Sequence, residues 1–100
     1  MIFKIVWTVT ALNSYHEEID YIYFKWNLKE VLKFESLVNT EIDRISINPF
    51  IGKVNLKNSY SLTISKQTTL FYTINDNLNL IELLLFFNNQ KNPEELNKLL

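Results

Sequence analysis

The chain has 100 residues, 47% of them hydrophobic, and a formal net charge of −1, which is the size and apolar content of one folded domain over residues 1–100. The absence of cysteine excludes disulfides and a cysteine nucleophile, and the one histidine leaves almost no means of building a metal site. The single glycine excludes glycine-rich phosphate loops, and the near-neutral charge argues against a general grip on nucleic acid, so we expect no cofactor and no metal.

The first predicted elements are a strand and a helix. Residues 2–7 are mostly β-branched or aromatic, with Phe3, Ile5 and Trp7 alternating against Lys4, which predicts a strand. Thr8 then offers an N-cap, and apolar residues recur at three- and four-residue steps, as in an amphipathic helix. This stripe is Leu12, Tyr15, Ile19, Ile22 and Trp26. We expect Trp7 and Trp26 in the core and His16 on the exposed side.

A second helix follows almost without a loop. Asn27 and Glu30 have the spacing of a capping box, and Asn48-Pro49 ends the helix because a residue before proline avoids the helical region. Its apolar stripe is Val31, Phe34, Val38, Ile42 and Ile45. Such a short connection predicts an antiparallel helix hairpin.

The second half of the chain reads as a three-strand meander. A turn over 49–52 and a polar connection over 53–59 precede it, and Pro93 begins a short helical tail after it. The last strand is apolar except for Glu82, so we expect a central strand with both faces covered and Glu82 on the open sheet face. The three predicted strands are 60–64, 68–74 and 80–87.

The predicted fold class is therefore α+β. An N-terminal strand and an antiparallel helix hairpin pack on a mainly antiparallel four-strand sheet, and a short C-terminal helical tail follows. The longest purely apolar run, 83–87, is too short to span a membrane, and the N-terminus lacks the pattern of a signal peptide. We expect a cytoplasmic protein.

Three stretches of the sequence carry a resemblance to a known family. They are Trp7, Ala11, Leu12, Ile19, Tyr21, Ile22 and Trp26; Ile45, Asn48, Pro49, Ile51 and Gly52; and Tyr72, Ile74, 81–87 and 90–96. In this order and spacing they resemble the RelE/ParE superfamily of bacterial toxins from type II toxin–antitoxin modules. The last stretch is similar to the ending of ParE-like members. The resemblance covers nearly the whole chain.

The resemblance to RelE-like members implies a ribosome-dependent endonuclease that cuts messenger RNA. The departures weaken this alternative, because the strand 60–64 has no arginine, Gln90 stands where family members have one, and no tyrosine or histidine follows Tyr72. Cleavage of a phosphodiester needs a base, an acid and cations near the developing charge. The weaker candidates for these roles are Lys53, Lys57, Lys66 and Tyr72.

The resemblance to ParE-like members implies an inhibitor of DNA gyrase that acts by binding and is neutralised by a cognate antitoxin. Its end then contributes to toxicity, so the candidate target-binding residues are Asn89, Gln90, Lys91, Asn92, Leu96, Leu99 and Leu100. The sequence favours this function over the endonuclease. A second alternative is an inactive relic or a binding module without a target.

Overall fold

The computed structural model describes residues 2–99, apart from the side chain of Leu56. Its order of elements is the predicted one, with one additional short strand. The helices and strands are β1 (Lys4–Trp7), α1 (Val9–Lys25), α2 (Leu28–Ile47), β2 (Lys53–Val54), β3 (Tyr60–Thr63), β4 (Thr68–Asn75), β5 (Leu80–Asn88) and α3 (Pro93–Leu99). In this part of the chain, none of the helices combines the length and the apolar character needed to cross a membrane.

Both predicted helix caps are confirmed. The Thr8 hydroxyl accepts a hydrogen bond from the Ala11 N–H at 3.1 Å and donates to the Leu83 carbonyl oxygen at 2.7 Å. The Asn27 side chain accepts from the Glu30 N–H at 3.0 Å. Each side chain satisfies one of the N–H groups that a helix leaves unpaired at its start. Thr8 also ties the start of α1 to β5.

The five strands form one sheet in the order β1-β5-β4-β3-β2. β1 lies parallel to β5, and all other neighbours are antiparallel. The expectation of four strands was one short, because β2 lies within the segment that we read as a polar connection. β2 has only two exposed residues and pairs Lys53 with Ser61. Such a strand has too few residues for an apolar alternation, and it forms because β3 offers it a free edge.

The helix hairpin covers one face of the sheet and forms the main core with it. α2 contributes the apolar residues at the predicted spacing, and Val31, Phe34, Val38 and Ile45 are all buried. α1 agrees with its predicted stripe only in part. Ile22 is buried and Tyr15 and Ile19 pack half-buried against the core, but Leu12 is exposed. The other buried positions of α1 are Ala11, Ser14 and Glu18. The Ser14 hydroxyl accepts a hydrogen bond from the Phe86 N–H at 2.9 Å, so α1 lies close to β5. Small residues fit that close approach, and larger ones are displaced to the sides of the helix.

The two tryptophans differ from the core positions that we expected. Trp26 is 50% exposed at the tip of the helix hairpin, and Trp7 is 36% exposed, with its ring stacked on Phe86 at 5.5 Å. Trp26 lies just beyond the end of α1, where the backbone has left the helical conformation, so its side chain does not continue the buried face that ends with Ile22. His16 is exposed, as predicted.

The sheet face opposite the helix hairpin is only partly covered. The prediction that both faces of β5 are covered is therefore correct for only part of the strand. A bulge opposite Phe71 and Tyr72 shifts the alternation of β5. Beyond the bulge, Phe71, Leu85 and Phe87 form a second buried cluster against Leu96 of α3. Before it, Glu82 lies exposed on the open face, as expected. α3 begins at Pro93, as predicted, and crosses this face.

Candidate functional site

The predicted target-binding residues begin on the segment that leaves β5, residues 89–92, which we call the exit loop. All four of its residues are exposed. Asn89 anchors it to the turn between β3 and β4, because its N–H donates to the Gln67 carbonyl oxygen at 2.7 Å and its side-chain amide donates to the Lys66 carbonyl oxygen at 3.1 Å. The Thr69 hydroxyl donates to the Asn89 side chain at 2.8 Å. The exit loop and this turn therefore form one hydrogen-bonded platform.

A buried carboxylate lies beneath the platform. Glu18 of α1 is 4% exposed, and one of its oxygens, Oε2, accepts hydrogen bonds from the Thr68 hydroxyl at 3.2 Å and from the Gln67 side-chain amide at 3.4 Å. Burial raises the pKa of Glu18, while the Gln67, Thr68 and Asn88 side chains and the charge of Lys91 oppose that rise.

Sequence reasoning missed Glu18. The signal that could have found it is its position, because Ala11, Ser14, Glu18 and Ile22 follow one another at three- and four-residue steps on one side of α1. A carboxylate on such a face must be paired or hydrogen-bonded if the face is buried. The larger apolar residues beside it gave a stronger stripe, and that stripe determined which face of α1 we expected to find in the core.

The side chains of Gln90 and Lys91 in the exit loop contact residues of α1. The Tyr21 hydroxyl donates to the Gln90 side-chain oxygen at 3.0 Å, and the Lys25 ammonium donates to that hydroxyl at 3.1 Å. The Lys25 ammonium also lies 4.9 Å from the centre of the Trp26 ring, a cation–π contact. The Lys91 ammonium lies 3.9 Å from a Glu17 carboxylate oxygen, with both side chains largely exposed. Gln90 therefore occupies its position through a neutral hydrogen bond.

The remaining predicted residues lie on or next to α3. Asn92 caps it, because its side chain accepts from the Glu94 N–H at 3.0 Å. Leu96 packs against the second buried cluster, whereas Leu99 is 50% exposed. Leu100 lies outside the described residues. α3 has no fully buried side chain, so it is held against the sheet mainly by Leu96.

The residues proposed for a nuclease do not meet in one place. Lys53 lies on β2, where it pairs with Ser61 of β3. Lys57 lies between these two strands, and its ammonium donates a hydrogen bond to the Asn97 carbonyl oxygen at 3.3 Å. Lys66 follows the other end of β3. Within residues 2–99, no group of three or more His, Cys, Asp or Glu side chains is placed to hold a metal ion.

Tyr72, the remaining nuclease candidate, packs in the core. It is fully buried, and its ring stacks on Tyr60 at a centroid distance of 5.6 Å. Its hydroxyl donates to the Pro49 carbonyl oxygen at 2.9 Å and accepts from the Gly52 N–H at 3.1 Å. Burial raises its pKa above that of an ordinary tyrosine. The phenol is thus engaged by backbone groups at the end of α2.

An open cleft of about 430 Å³ separates the platform from the helix hairpin. Its walls are apolar where the hairpin contributes Ile22, Phe34 and Leu37, and Trp26 stands at its edge. Lys66 lies on the platform side. The cleft continues the exposed surface of the exit loop toward the hairpin tip, where large apolar side chains are also exposed.

Solved bacterial toxins share this fold. The chain aligns with the structure described as the toxin–antitoxin complex RelBE2 from Mycobacterium tuberculosis with a TM-score of 0.64 and 17% identity, covering 89% of this chain and 100% of that one. It aligns with the YoeB/ParE toxin from Agrobacterium tumefaciens with a TM-score of 0.65 and 17% identity, covering 87% and 99%. A mutant of the E. coli toxin RelE in the free state gives 0.64 and 13%, covering 98% and 93%.

The family is identified by a sequence model rather than by these structures, whose low identities show the fold alone. No curated protein matches the chain by sequence. The family model for the ParE toxin of the type II toxin–antitoxin system parDE matches residues 5–93. The match extends from β1 to the start of α3 and includes the whole exit loop. It confirms the resemblance noted in the sequence: the chain belongs to the ParE toxin family of type II toxin–antitoxin systems.

Proposed function

We propose that the protein inhibits DNA gyrase by binding it through the exit loop and α3. The observation that carries this proposal is the exit loop itself, whose four residues are exposed although its start is hydrogen-bonded to a neighbouring turn. A binding surface that is already ordered loses little conformational entropy when it docks. The family match supports the choice of gyrase, because it is to the ParE model and includes this loop.

The proposed contacts divide into polar and apolar groups. Gln90 and Lys91 supply a hydrogen-bonding amide and a cation from the loop, and Leu99 supplies an exposed apolar side chain from α3. Leu96 has a different role, because it packs α3 against the sheet and so fixes the orientation of the exposed face of the helix. Asn92 caps α3 and joins the two segments.

We further propose that a cognate antitoxin neutralises the protein. Several of the similar structures are described as toxin–antitoxin complexes, among them RelBE2 and the YoeB–YefM complex from Staphylococcus aureus. The surface at the hairpin tip supports the proposal of such a partner, because several large apolar side chains are exposed next to one another there. These are Tyr23, Phe24, Trp26, Leu28 and Leu32. A protein that acts on gyrase in this way works in the cytoplasm.

The test uses the purified chain in a DNA gyrase supercoiling assay, together with growth on expression without antitoxin. We expect inhibition by the wild type, loss of inhibition in the double variant Gln90→Ala/Lys91→Ala, and retention in Lys53→Ala/Lys66→Ala. The second variant is the matched control, because it removes candidates for the endonuclease alternative. Unimpeded gyrase together with growth arrest would contradict the proposal, and no growth effect at all would identify an inactive relic.

A further inference from the structure

The ammonium group of Lys25, at the end of α1, is held in place by neutral groups. It donates a hydrogen bond to the Tyr21 hydroxyl at 3.1 Å, and it lies 4.9 Å from the centre of the Trp26 ring and 5.4 Å from that of Tyr21. Within residues 2–99, no carboxylate oxygen lies within 4.0 Å of this ammonium, since the ion pairs there involve other cations. The positive charge of Lys25 is therefore positioned but not neutralised.

Lys91, the cation of the exit loop, differs in this respect. Its ammonium lies 3.9 Å from a Glu17 carboxylate oxygen, so a partner must compete with Glu17 for that charge. An ammonium has three N–H donors, and Lys25 uses one of them on the Tyr21 hydroxyl. Because Lys25 is exposed, its remaining donors and its charge are open to a partner.

The Tyr21 hydroxyl also determines how Gln90 presents its side chain. Lys25 can only donate, so the hydroxyl accepts from it and donates its own proton to the Gln90 oxygen, Oε1, at 3.0 Å. The NH₂ group of Gln90 donates to no other side chain or backbone group in the described part of the chain, and Gln90 is exposed. Free donors of two residues therefore flank one hydroxyl.

We propose that Lys25 and Gln90 form a carboxylate-binding site that holds an acidic side chain of a protein partner. A carboxylate carries a negative charge and two acceptor oxygens, which match an ammonium beside an amide donor. Because both residues hydrogen-bond to the same hydroxyl, they are close enough for one carboxylate to contact both. Trp26, which is 50% exposed beside Lys25, helps to exclude water when a partner docks, and this strengthens a charge-assisted bond.

A carboxylate fits this site better than the phosphates of a nucleic acid do. Nucleic-acid binding normally uses several cations along a backbone, whereas the chain has a net charge of −1. α1 also carries the exposed carboxylates Glu17 and Asp20, which repel a polyanion. One cation beside one amide matches a single acidic side chain.

This inference rests on the proposed function only for the identity of the partner, gyrase, and the site itself can be measured without gyrase. The experiment titrates the free full chain with a hexaglutamate peptide and follows side-chain signals by NMR. We expect the peptide to shift the Gln90 NH₂ and Trp26 indole N–H signals, and its affinity to decrease with added salt. A single-stranded DNA oligonucleotide is the competing probe, and shifts of the same signals at lower concentrations of DNA than of peptide would overturn the inference.

Two variants test the roles of the charge and of the hydroxyl. Lys25→Gln should weaken peptide binding about tenfold, because it removes a charge-assisted hydrogen bond. Tyr21→Phe keeps the ring but removes the hydroxyl that contacts both Lys25 and Gln90, and it should weaken binding about threefold through lost preorganisation. Lys29→Gln, which removes the same charge from an exposed position on α2, is the matched control and should bind like the wild type.

Wild-type affinity in Lys25→Gln or Tyr21→Phe, or unchanged Gln90 signals in the wild type, would overturn the inference. Gyrase inhibition is then measured separately, and Lys25→Gln should need about tenfold more protein for the same inhibition. If the peptide results hold and the wild type does not inhibit gyrase, the carboxylate site stands and the proposed function fails. If the wild type inhibits gyrase and Lys25→Gln inhibits equally, the inference fails.

Discussion

The hydroxyl of Tyr72 lies against the backbone of Gly52, whose N–H donates a hydrogen bond to it at 3.1 Å. The same hydroxyl donates to the Pro49 carbonyl oxygen, so one buried phenol joins the end of α2 to the sheet. A Cβ at position 52 would overlap this hydroxyl and lie 3.0 Å from the Ser61 carbonyl oxygen. Gly52 is therefore required by close approach, since its φ of −72° is open to any residue.

Substitution of Gly52 by alanine should destabilise the fold. We expect Gly52→Ala to lower the free energy of unfolding by about 1–3 kcal/mol, because the added methyl group must displace the Tyr72 side chain or the backbone of β3. Urea denaturation measures this loss. In a Tyr72→Phe background the same substitution should cost less, because the oxygen that the methyl group overlaps is gone. Additive costs in the double variant would contradict this account of the contact.

Loss of the Tyr72 hydroxyl alone should also destabilise the protein. Tyr72→Phe leaves the Gly52 N–H and the Pro49 carbonyl without their partner, and we expect a loss of about 1–3 kcal/mol. Tyr60→Phe is the matched control, because Tyr60 stacks on the same ring while half-buried. It should change stability by less than about 0.5 kcal/mol. Equal losses in the two variants would show that the Tyr72 hydrogen bonds contribute nothing specific.

Lys91 should matter for binding and not for stability. Its ammonium lies 3.9 Å from a Glu17 carboxylate oxygen, an exposed pair of the kind that contributes little to folding. Lys91→Ala should therefore change the free energy of unfolding by less than about 0.5 kcal/mol and weaken gyrase inhibition about tenfold. Lys29→Ala, an exposed lysine on α2, serves as the control and should leave inhibition unchanged. Full inhibition by Lys91→Ala would remove Lys91 from the proposed surface.

Removal of α3 should separate toxicity from folding. Among the residues that the structure describes, α3 has no fully buried side chain, and Leu96 covers the cluster of Phe71, Leu85 and Phe87. A chain truncated after Asn92 should keep the helix hairpin folded, with a lower Tm because that cluster becomes exposed, and it should no longer arrest growth or inhibit gyrase. Circular dichroism measures whether the truncated chain is folded, and the supercoiling assay measures whether it still inhibits gyrase. A truncated chain that still arrests growth would contradict the role of α3.

The contribution of Glu18 to stability should decrease as the pH rises, as expected for a buried acid. Burial raises the pKa of Glu18 in the folded state above the ordinary value of 4.5, whereas the unfolded chain keeps that value. The contribution of Glu18 is then fully present below 4.5 and is lost as the pH rises through the raised pKa.

Urea denaturation at a series of pH values tests this sign. The free energy of unfolding of the wild type minus that of Glu18→Gln should decrease with rising pH over this range. Asp20→Asn, the control for a carboxylate on the same helix, should show no such decrease. A difference that increases with pH would mean that the hydrogen bonds to Glu18 outweigh its burial.

Much of the fold could be predicted because local signals and tertiary contacts agree. The caps at Thr8 and Asn27, the apolar stripe of α2 and the start of α3 at Pro93 each follow from a rule about a few neighbouring residues. α1 could not be placed so well, because its closest contact with the sheet uses small and polar residues. There Ser14 satisfies a strand N–H, so hydrogen bonding decided which face turned inward.

The candidate site, like the fold, could be predicted from the sequence only in part. The exit loop could be placed from its polar composition and from the proline that follows, and all four of its residues are exposed. The contact of Glu18 with Gln67 could not be predicted, because these two residues are distant in the sequence and meet only when α1 packs on the sheet. β2 was missed for a related reason, since a two-residue strand is defined by its neighbour β3 and not by its own pattern.

The most direct test compares two reactions with one preparation of the purified full-length chain. One contains DNA gyrase and relaxed plasmid, and the other contains a translating ribosome and a reporter message. The account predicts that supercoiling stops, that Gln90→Ala/Lys91→Ala restores it, and that the message stays intact. A message cut by the wild type, with cutting lost when Lys53, Lys57 or Lys66 is neutralised and with gyrase unaffected, would contradict it.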